Sequence, residues 1–187
     1  HLITITAATK KRHFYLNNAN AKLILRYLKL VGGDVSSYSG WHGADTSGGS
    51  ILIDTNGGEL NLYSSIVFNN KAKYGGGIRA YGASSTNKNA IMNIYNSIIQ
   101  NNEAAAGNGG GIYMEYAVAT IETTTIDNNQ ANYGGGMVIS YSSDVTMKNT
   151  IISNNDAGDN GGGLYIHFDR TTVTLRQSSF INNDATN

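Results

Sequence analysis

Apolar residues recur along this chain in pairs spaced two apart, the period of a β-strand whose alternate side chains share one face. Such pairs stand at Ile78/Ala80, Ile112/Met114, Met137/Ile139 and Leu164/Ile166, each just after a run of three glycines. A second set stands at Leu60/Leu62, Met92/Ile94, Ala119/Ile121, Val145/Met147 and Val173/Leu175. Five residues beyond each second set comes another apolar position: Val67, Ile99, Ile126, Ile152 and Phe180. Asn pairs follow at 69–70, 101–102, 128–129, 154–155 and 182–183, at intervals of 32, 27, 26 and 28 residues. The frame extends backwards through Ile51/Ile53, Phe14/Leu16 and Leu23/Leu25, with Leu30 in the third apolar place and Gly32-Gly33 where the Asn pair is due.

A unit of three short strands cannot bury its own apolar side chains, and stacking identical units one above another removes that problem. The spacing therefore predicts an all-β fold, a right-handed single-stranded parallel β-helix of about six coils with three short strands each. It runs from Phe14 to Asn183, with Leu2 to Thr6 as a capping strand, and forms a single domain over 1–187. Six coils at the strand spacing make a rod about 29 Å tall. Gly supplies positive φ at the corners, and Asn side chains pair with the copies above and below. A β-sandwich has no need of triple Gly at one phase, and a propeller blade takes about 40 residues or more.

Gly, Asn, Ser and Thr make 79 of the 187 residues and charged types only 14%. Disorder is excluded by 12 Tyr and the many Ile. The 13 basic and 13 acidic residues cancel, which argues against nucleic acid or an anionic membrane as partner. No apolar run approaches the ~20 residues of a membrane helix, so no membrane insertion is expected. With no Cys there is neither a disulfide framework nor a thiolate metal site. No Asn-x-Ser/Thr sequon occurs, so N-glycosylation is not expected. The chain starts at His1 rather than Met, as when a leader has been removed or the numbering begins inside a longer product.

Gly-Gly-Gly-Ile, with its Met and Leu variants, and the Phe180 to Asn183 segment carry a resemblance. The chain resembles the extracellular right-handed β-helix repeats of the pectin-lyase-like class, most closely the coils of polymorphic outer membrane proteins. Those carry Gly-Gly-Ala-Ile and Phe-x-x-Asn motifs in each coil; here Val or Ile replaces Phe at Val67, Ile99, Ile126 and Ile152. The resemblance spans roughly residues 48 to 183 and implies an extracellular or cell-surface location. It implies little about activity, since one fold hosts many functions.

Polysaccharide lyases and hydrolases on this fold need an acid and a base within reach of the sugar. The outward positions of the second strand read Asn61, Asn93, Thr120, Thr146 and Thr174, and the next row Arg26, Tyr63, Tyr95, Glu122, Lys148 and Arg176. Glu122 beside Lys148 reads as a surface ion pair, and the chain is expected not to be an enzyme, with lyase or hydrolase activity as the alternative. No cofactor is expected; calcium at Asp127, Asp156, Asp159 and Asp184 is the alternative to ordinary turn chemistry. His1, His13, His42 and His167 have no ligand spacing, the glycine runs precede strands rather than a phosphate-binding helix, and the three-residue Thr row is too short for an ice-binding face.

Two features invite partners. The outward row Tyr15, Leu52, Arg79, Tyr113, Val138, Tyr165 and the row Ile66, Ile98, Thr125, Ile151 suggest burial against another chain. The 14-residue insertion 34–47 holds the only Trp, and Tyr38, Trp41 and His42 are its candidate glycan contacts, or else cover the rod. The chain also stops in mid-coil without a cap, an open edge that Leu2, Ile3 and Ile5 of a neighbour suit, opposite Phe180, Asn182 and Asn183. These features predict an extracellular structural protein. It is a homo-oligomeric filament subunit or adhesin module using head-to-tail stacking plus lateral contacts at Tyr113, Tyr165, Ile66, Ile98 and Ile151. The alternative is a polysaccharide-binding or polysaccharide-cleaving domain using the 34–47 loop.

Overall fold

A computed structural model describes residues 2–37, 46–84, 87 and 89–186. Four parallel sheets run the length of the rod. Sheet 1, after the glycine runs, holds Phe14–Leu16, Ile51–Ile53, Ile78–Tyr81, Ile112–Glu115, Met137–Ser140 and Leu164–His167. Sheet 2 holds Lys22–Arg26, Gly58–Tyr63, Ala90–Tyr95, Ala117–Glu122, Asp144–Lys148 and Thr172–Arg176. Sheet 3 begins with Ile3–Thr6 and continues through Leu28–Val31, Ile66–Phe68, Ile98–Gln100, Thr125–Asp127, Ile151–Ser153 and Ser179–Ile181.

The apolar frame sets the register throughout. Leu60, Met92, Ala119, Val145 and Val173 lie opposite one another in sheet 2. In sheet 3, Leu30, Val67, Ile99, Ile126, Ile152 and Phe180 do the same. The inward side chains of all six coils merge into one core, with Leu60, Ile94, Ile112 and Ile126 fully buried.

The fold adds a fourth strand to five of the six coils, which the period-two spacing does not reveal. Sheet 4 holds Lys71–Ala72, Glu103–Asn108, Gln130–Tyr133, Asp156–Ala157 and Asp184–Ala185, directly after the Asn pairs. Four of these strands contribute one small inward residue, Ala72, Ala104, Ala131 and Ala157, too little for a period-two signal.

The three glycines of each run have different reasons. The first, such as Gly109 at φ 68°, takes a left-handed conformation. The second and third lack room: a Cβ on Gly110 would stand 2.4 Å from the Gly135 carbonyl oxygen and one on Gly111 2.6 Å from that of Gly136. Close backbone approach between coils, rather than corner geometry, excludes a side chain there.

At the head, Ile3–Thr6 pairs with Leu28–Val31 of the same chain, and Ile5 packs against the core. Ile5 is therefore engaged within the chain, and among the described residues that strand is paired along one edge only.

Candidate functional site

Polar side chains occupy three settings: buried ladders between coils, a buried cluster on sheet 1, and surface grooves. The first ladder is built from the second Asn of each pair. The Oδ1 of Asn102 accepts from Asn70 N (3.1 Å) and Asn70 Nδ2 (2.9 Å), that of Asn129 serves Asn102 likewise, and so on through Asn155 to Asn183. Each Nδ2 also donates to a carbonyl of the preceding coil, as Asn129 does to Ile99 (3.0 Å). Gly33 N donates to Asn70 Oδ1 (2.8 Å), so the ladder starts where glycine replaces asparagine. The first Asn of each pair is instead left-handed, Asn128 at φ 51°.

A second ladder escaped the sequence reading. Ser65, Ser97, Thr124, Thr150 and Ser178 occupy one corner, and each hydroxyl donates to the carbonyl two residues back. Amides of the preceding coil donate to these oxygens, from Leu28 to Ser65 (3.1 Å) and from Ser65 to Ser97 (3.2 Å). The signal was available, since these hydroxyls recur at the same intervals as the Asn pairs.

The outward row of sheet 1 differs from expectation. Tyr113 is only 6% exposed, and Leu52, Arg79 and Val138 are also buried, so Tyr113 offers no surface to another chain. The cause lies in the glycine turn, which folds back over the outer face: a Cβ on Gly109 would stand 2.8 Å from the Cβ of Tyr113. Tyr74 adds its ring, 6.1 Å from that of Tyr113. Beneath this cover Arg79 pairs with Glu115 at 2.5 Å and bonds Ser47 at the exit of the insertion. The guanidinium also lies within 5.5 Å of the ring centres of Tyr74, Tyr81 and Tyr113. Burial, then the charge and hydrogen bond of Glu115, push the Tyr113 phenol up. It holds its proton as a donor; the two terminal nitrogens of Arg79 are taken by Ser47 and Glu115, while its buried Nε makes no hydrogen bond among the described residues.

Aromatic rings form a ladder at the adjoining corner, Tyr81 to Tyr116 to Tyr141 to Phe168, with centroids 6.4, 5.4 and 4.0 Å apart. Beside it Tyr116, Tyr141, Ser142, Phe168, Asp169 and Arg170 line a shallow groove of about 320 Å³. Tyr81 and Tyr116 are stacked, as are Tyr141 and Phe168, whereas Tyr116 and Tyr141 are tilted by 35°. A second, polar groove of about 340 Å³ runs along Asn101, Glu103, Asn128, Gln130 and Asp156.

The remaining expected residues are scattered. Ile3 (68% exposed) and the half-buried Leu2 lie at the head; exposed Phe180 and Asn182 lie in the last coil, where half-buried Asn183 ends the ladder. Ile98 and Ile151 are exposed on sheet 3, whereas Ile66 and Tyr165 are half-buried. Tyr165 stacks on Tyr133 at 5.7 Å. Tyr38, Trp41 and His42 lie outside the described residues. Glu122 and Lys148 are opposite in register, yet the ion pairs among the described residues are Lys22–Glu59, Lys71–Glu103 and Arg79–Glu115.

Among the described residues no three His, Asp or Glu side chains converge on a metal position. The carboxylates considered for calcium have separate duties. Asp127 takes hydrogen bonds from Asn154, Ser153 and Gln100, which outweigh its burial and hold it below the ordinary carboxyl range. Asp159 accepts from Asn160, Asp156 from Gln130, and Asp184 caps its own Ala185 amide. No described helix is long and apolar enough to cross a membrane.

His13 ties the head strand to the first coil. Its Nε2 donates to the Ile5 carbonyl (3.1 Å), so the neutral ring's Nδ1 accepts from Ser50 Oγ (3.0 Å). Burial lowers its pKa against the opposing hydrogen bonds to Ile5 and Val31. The unfolded chain therefore binds the proton more readily. The neutral ring's stabilisation is complete above about pH 6.5 and is lost as pH falls from there toward the lower folded value. Urea unfolding at stepped pH should show this decline, and His13→Gln should flatten it; an unchanged slope in that variant would exclude His13 as its source.

A family model described as right handed beta helix region matches residues 87–186. Comparison with curated proteins finds no match, and neither does comparison with solved structures.

Proposed function

This chain belongs to the right-handed β-helix family, whose domains occur in enzymes and in non-enzymes, and from that premise we propose that it is a non-catalytic structural rod of the cell exterior, a filament subunit or adhesin module. The observation that carries this reading is the use made of its repeating polar side chains. The Asn and Ser/Thr ladders bind coil to coil, and the buried Arg79–Glu115 pair is closed off by its own tyrosines. Each coil meets the next through the same bonds, so the stack is extensible by any coil of the same kind.

Leu175 and Phe180 of the last described coil lie opposite the fully buried Met147 and Ile152 and are 46% and 44% exposed, so any coil stacked on that face, from this chain or from a second copy, covers them. Electron microscopy across a concentration series tests this. Wild-type rods should lengthen with concentration, and Phe180→Asp or Ile3→Lys should leave single units with an unchanged cooperative melt. Single units at every wild-type concentration would remove self-assembly from the reading.

A further inference from the structure

The chain is neutral in total, yet its charges are sorted along the rod. Before Asp34 stand six Lys or Arg and no Asp or Glu, whereas from Glu103 onward nine Asp or Glu stand against three Lys or Arg. Successive coils stack in register, so position in the sequence is height on the rod. The first coil is strongly cationic and the later coils are acidic.

The cations share their surface with exposed apolar side chains. Lys22, Ile24 and Arg26 alternate on the outer face of sheet 2, Tyr27 turns the corner at φ 56°, and Lys29 follows on sheet 3. Tyr27 and Ile24 are 62% and 50% exposed. All these side chains project sideways from the core, so stacking another coil on this one leaves them on the surface. Below them Arg26 lies 4.0 Å over the Tyr63 ring, which stacks on Tyr95 at 5.2 Å, and Lys29 lies 4.2 Å over Phe68. Ile91 and Ile98 extend the apolar surface onto the third coil. Glu59 is the single carboxylate on sheets 2 and 3 of these three coils. The Asn61 hydrogen bond (2.7 Å) and Lys22 (2.9 Å) hold it below the usual carboxyl range.

We infer that this face docks on an anionic membrane surface. Lysine and arginine meet lipid phosphates while Ile24, Tyr27, Ile91 and Ile98 enter the boundary between headgroups and acyl chains, and the rod lies on the bilayer without spanning it. A polyanionic chain gains from the cations but not from exposed isoleucines. Tyr63 and Tyr95 stack on each other, which leaves them poor platforms for bases. A second copy of the same face would oppose like charges. The zero net charge that argued against such a partner averages over a rod whose two ends differ.

Co-sedimentation of the 187-residue chain with vesicles of phosphatidylcholine, with and without phosphatidylserine, tests the inference. Binding is expected with the anionic vesicles only, falling as salt rises. The combined variant Lys22→Gln, Arg26→Gln, Lys29→Gln should weaken it roughly thirtyfold, with Lys22 contributing least because Glu59 already pairs with it. Tyr27→Asn should weaken it several-fold, and asparagine suits that left-handed position, so this variant stays informative should the triple one misfold. Lys148→Gln with Arg176→Gln should change nothing. Three results would overturn the inference: no preference for anionic vesicles; oligonucleotide binding that is indifferent to Tyr27→Asn; or self-association without vesicles that Tyr27→Asn abolishes.

Discussion

Replacing Asn129 by alanine is expected to destabilise the protein by about 4 kcal/mol, near the upper end for a single substitution. Asn129 is 1% exposed, in the middle of the ladder. Its Nδ2 donates to Ile99 O and to Asn155 Oδ1, both at 3.0 Å, while its Oδ1 accepts from Asn102 N at 2.9 Å and Asn102 Nδ2 at 3.0 Å. Alanine abolishes all four bonds and leaves buried partners on both sides. Each such group costs roughly 1–3 kcal/mol, and relaxation or an entering water recovers part of the total. The neighbouring Asn128 has a different basis. It is surface-facing, makes one ladder bond to Asn101 (2.8 Å) and matters for its φ of 51°, so Asn128→Ala should cost only about 1 kcal/mol. Asn129→Asp isolates the donor role, because it keeps the acceptor yet sets a buried carboxylate against two oxygens. Urea midpoints for the three variants check the ordering; equal losses at 128 and 129 would contradict it.

The second large effect is expected at the Arg79–Glu115 pair. Side-chain exposures of 9% and 11% place both charges out of water, where removing one partner strands the other. Arg79→Met or Glu115→Leu alone should each destabilise by about 3–5 kcal/mol, whereas the double variant should lie within about 1 kcal/mol of wild type. The tyrosines around the guanidinium make the cover that keeps the pair dry, so their loss should weaken the coupling. A double-mutant cycle measured by thermal or urea unfolding decides the matter. Additive losses would mean that the two side chains act separately, through packing alone. The aromatic corner beside the pair was itself legible as an aromatic seven residues beyond the first glycine, at Tyr116, Tyr141 and Phe168. Its ring stacking was not.

Much of this molecule could be read in one dimension. In a stack of coils each residue meets the one at the same phase in the next copy, so a periodicity is already a contact map. Leu60, Met92, Ala119 and Val145 had to superpose once the unit length was known, and Asn102 had to meet Asn129. The glycine runs and Asn pairs marked the turns for the same reason. The fourth strand offers one inward alanine and so no period-two pattern, although that alanine, at 72, 104, 131, 157 and 185, recurs at the intervals of the Asn pairs.

What only the tertiary structure decided is which outward side chains see water. Tyr113 and Ile98 have the same alternation and look equally exposed in the sequence. Tyr113 is nonetheless covered by a glycine turn that folds back across sheet 1, while nothing among the described residues covers Ile98 to the same degree. The Arg79–Glu115 pair arises likewise, from residues 36 apart that meet only when one coil lies on the next. Charge belongs to both levels: its sum is a property of composition, but its gradient acquires meaning once coil stacking turns sequence position into height. The sequence by itself determined the coil, its register and its ladders, because these depend on contacts between equivalent positions. The tertiary structure decided cover, pairing and exposed face, because these depend on contacts between positions that are not equivalent.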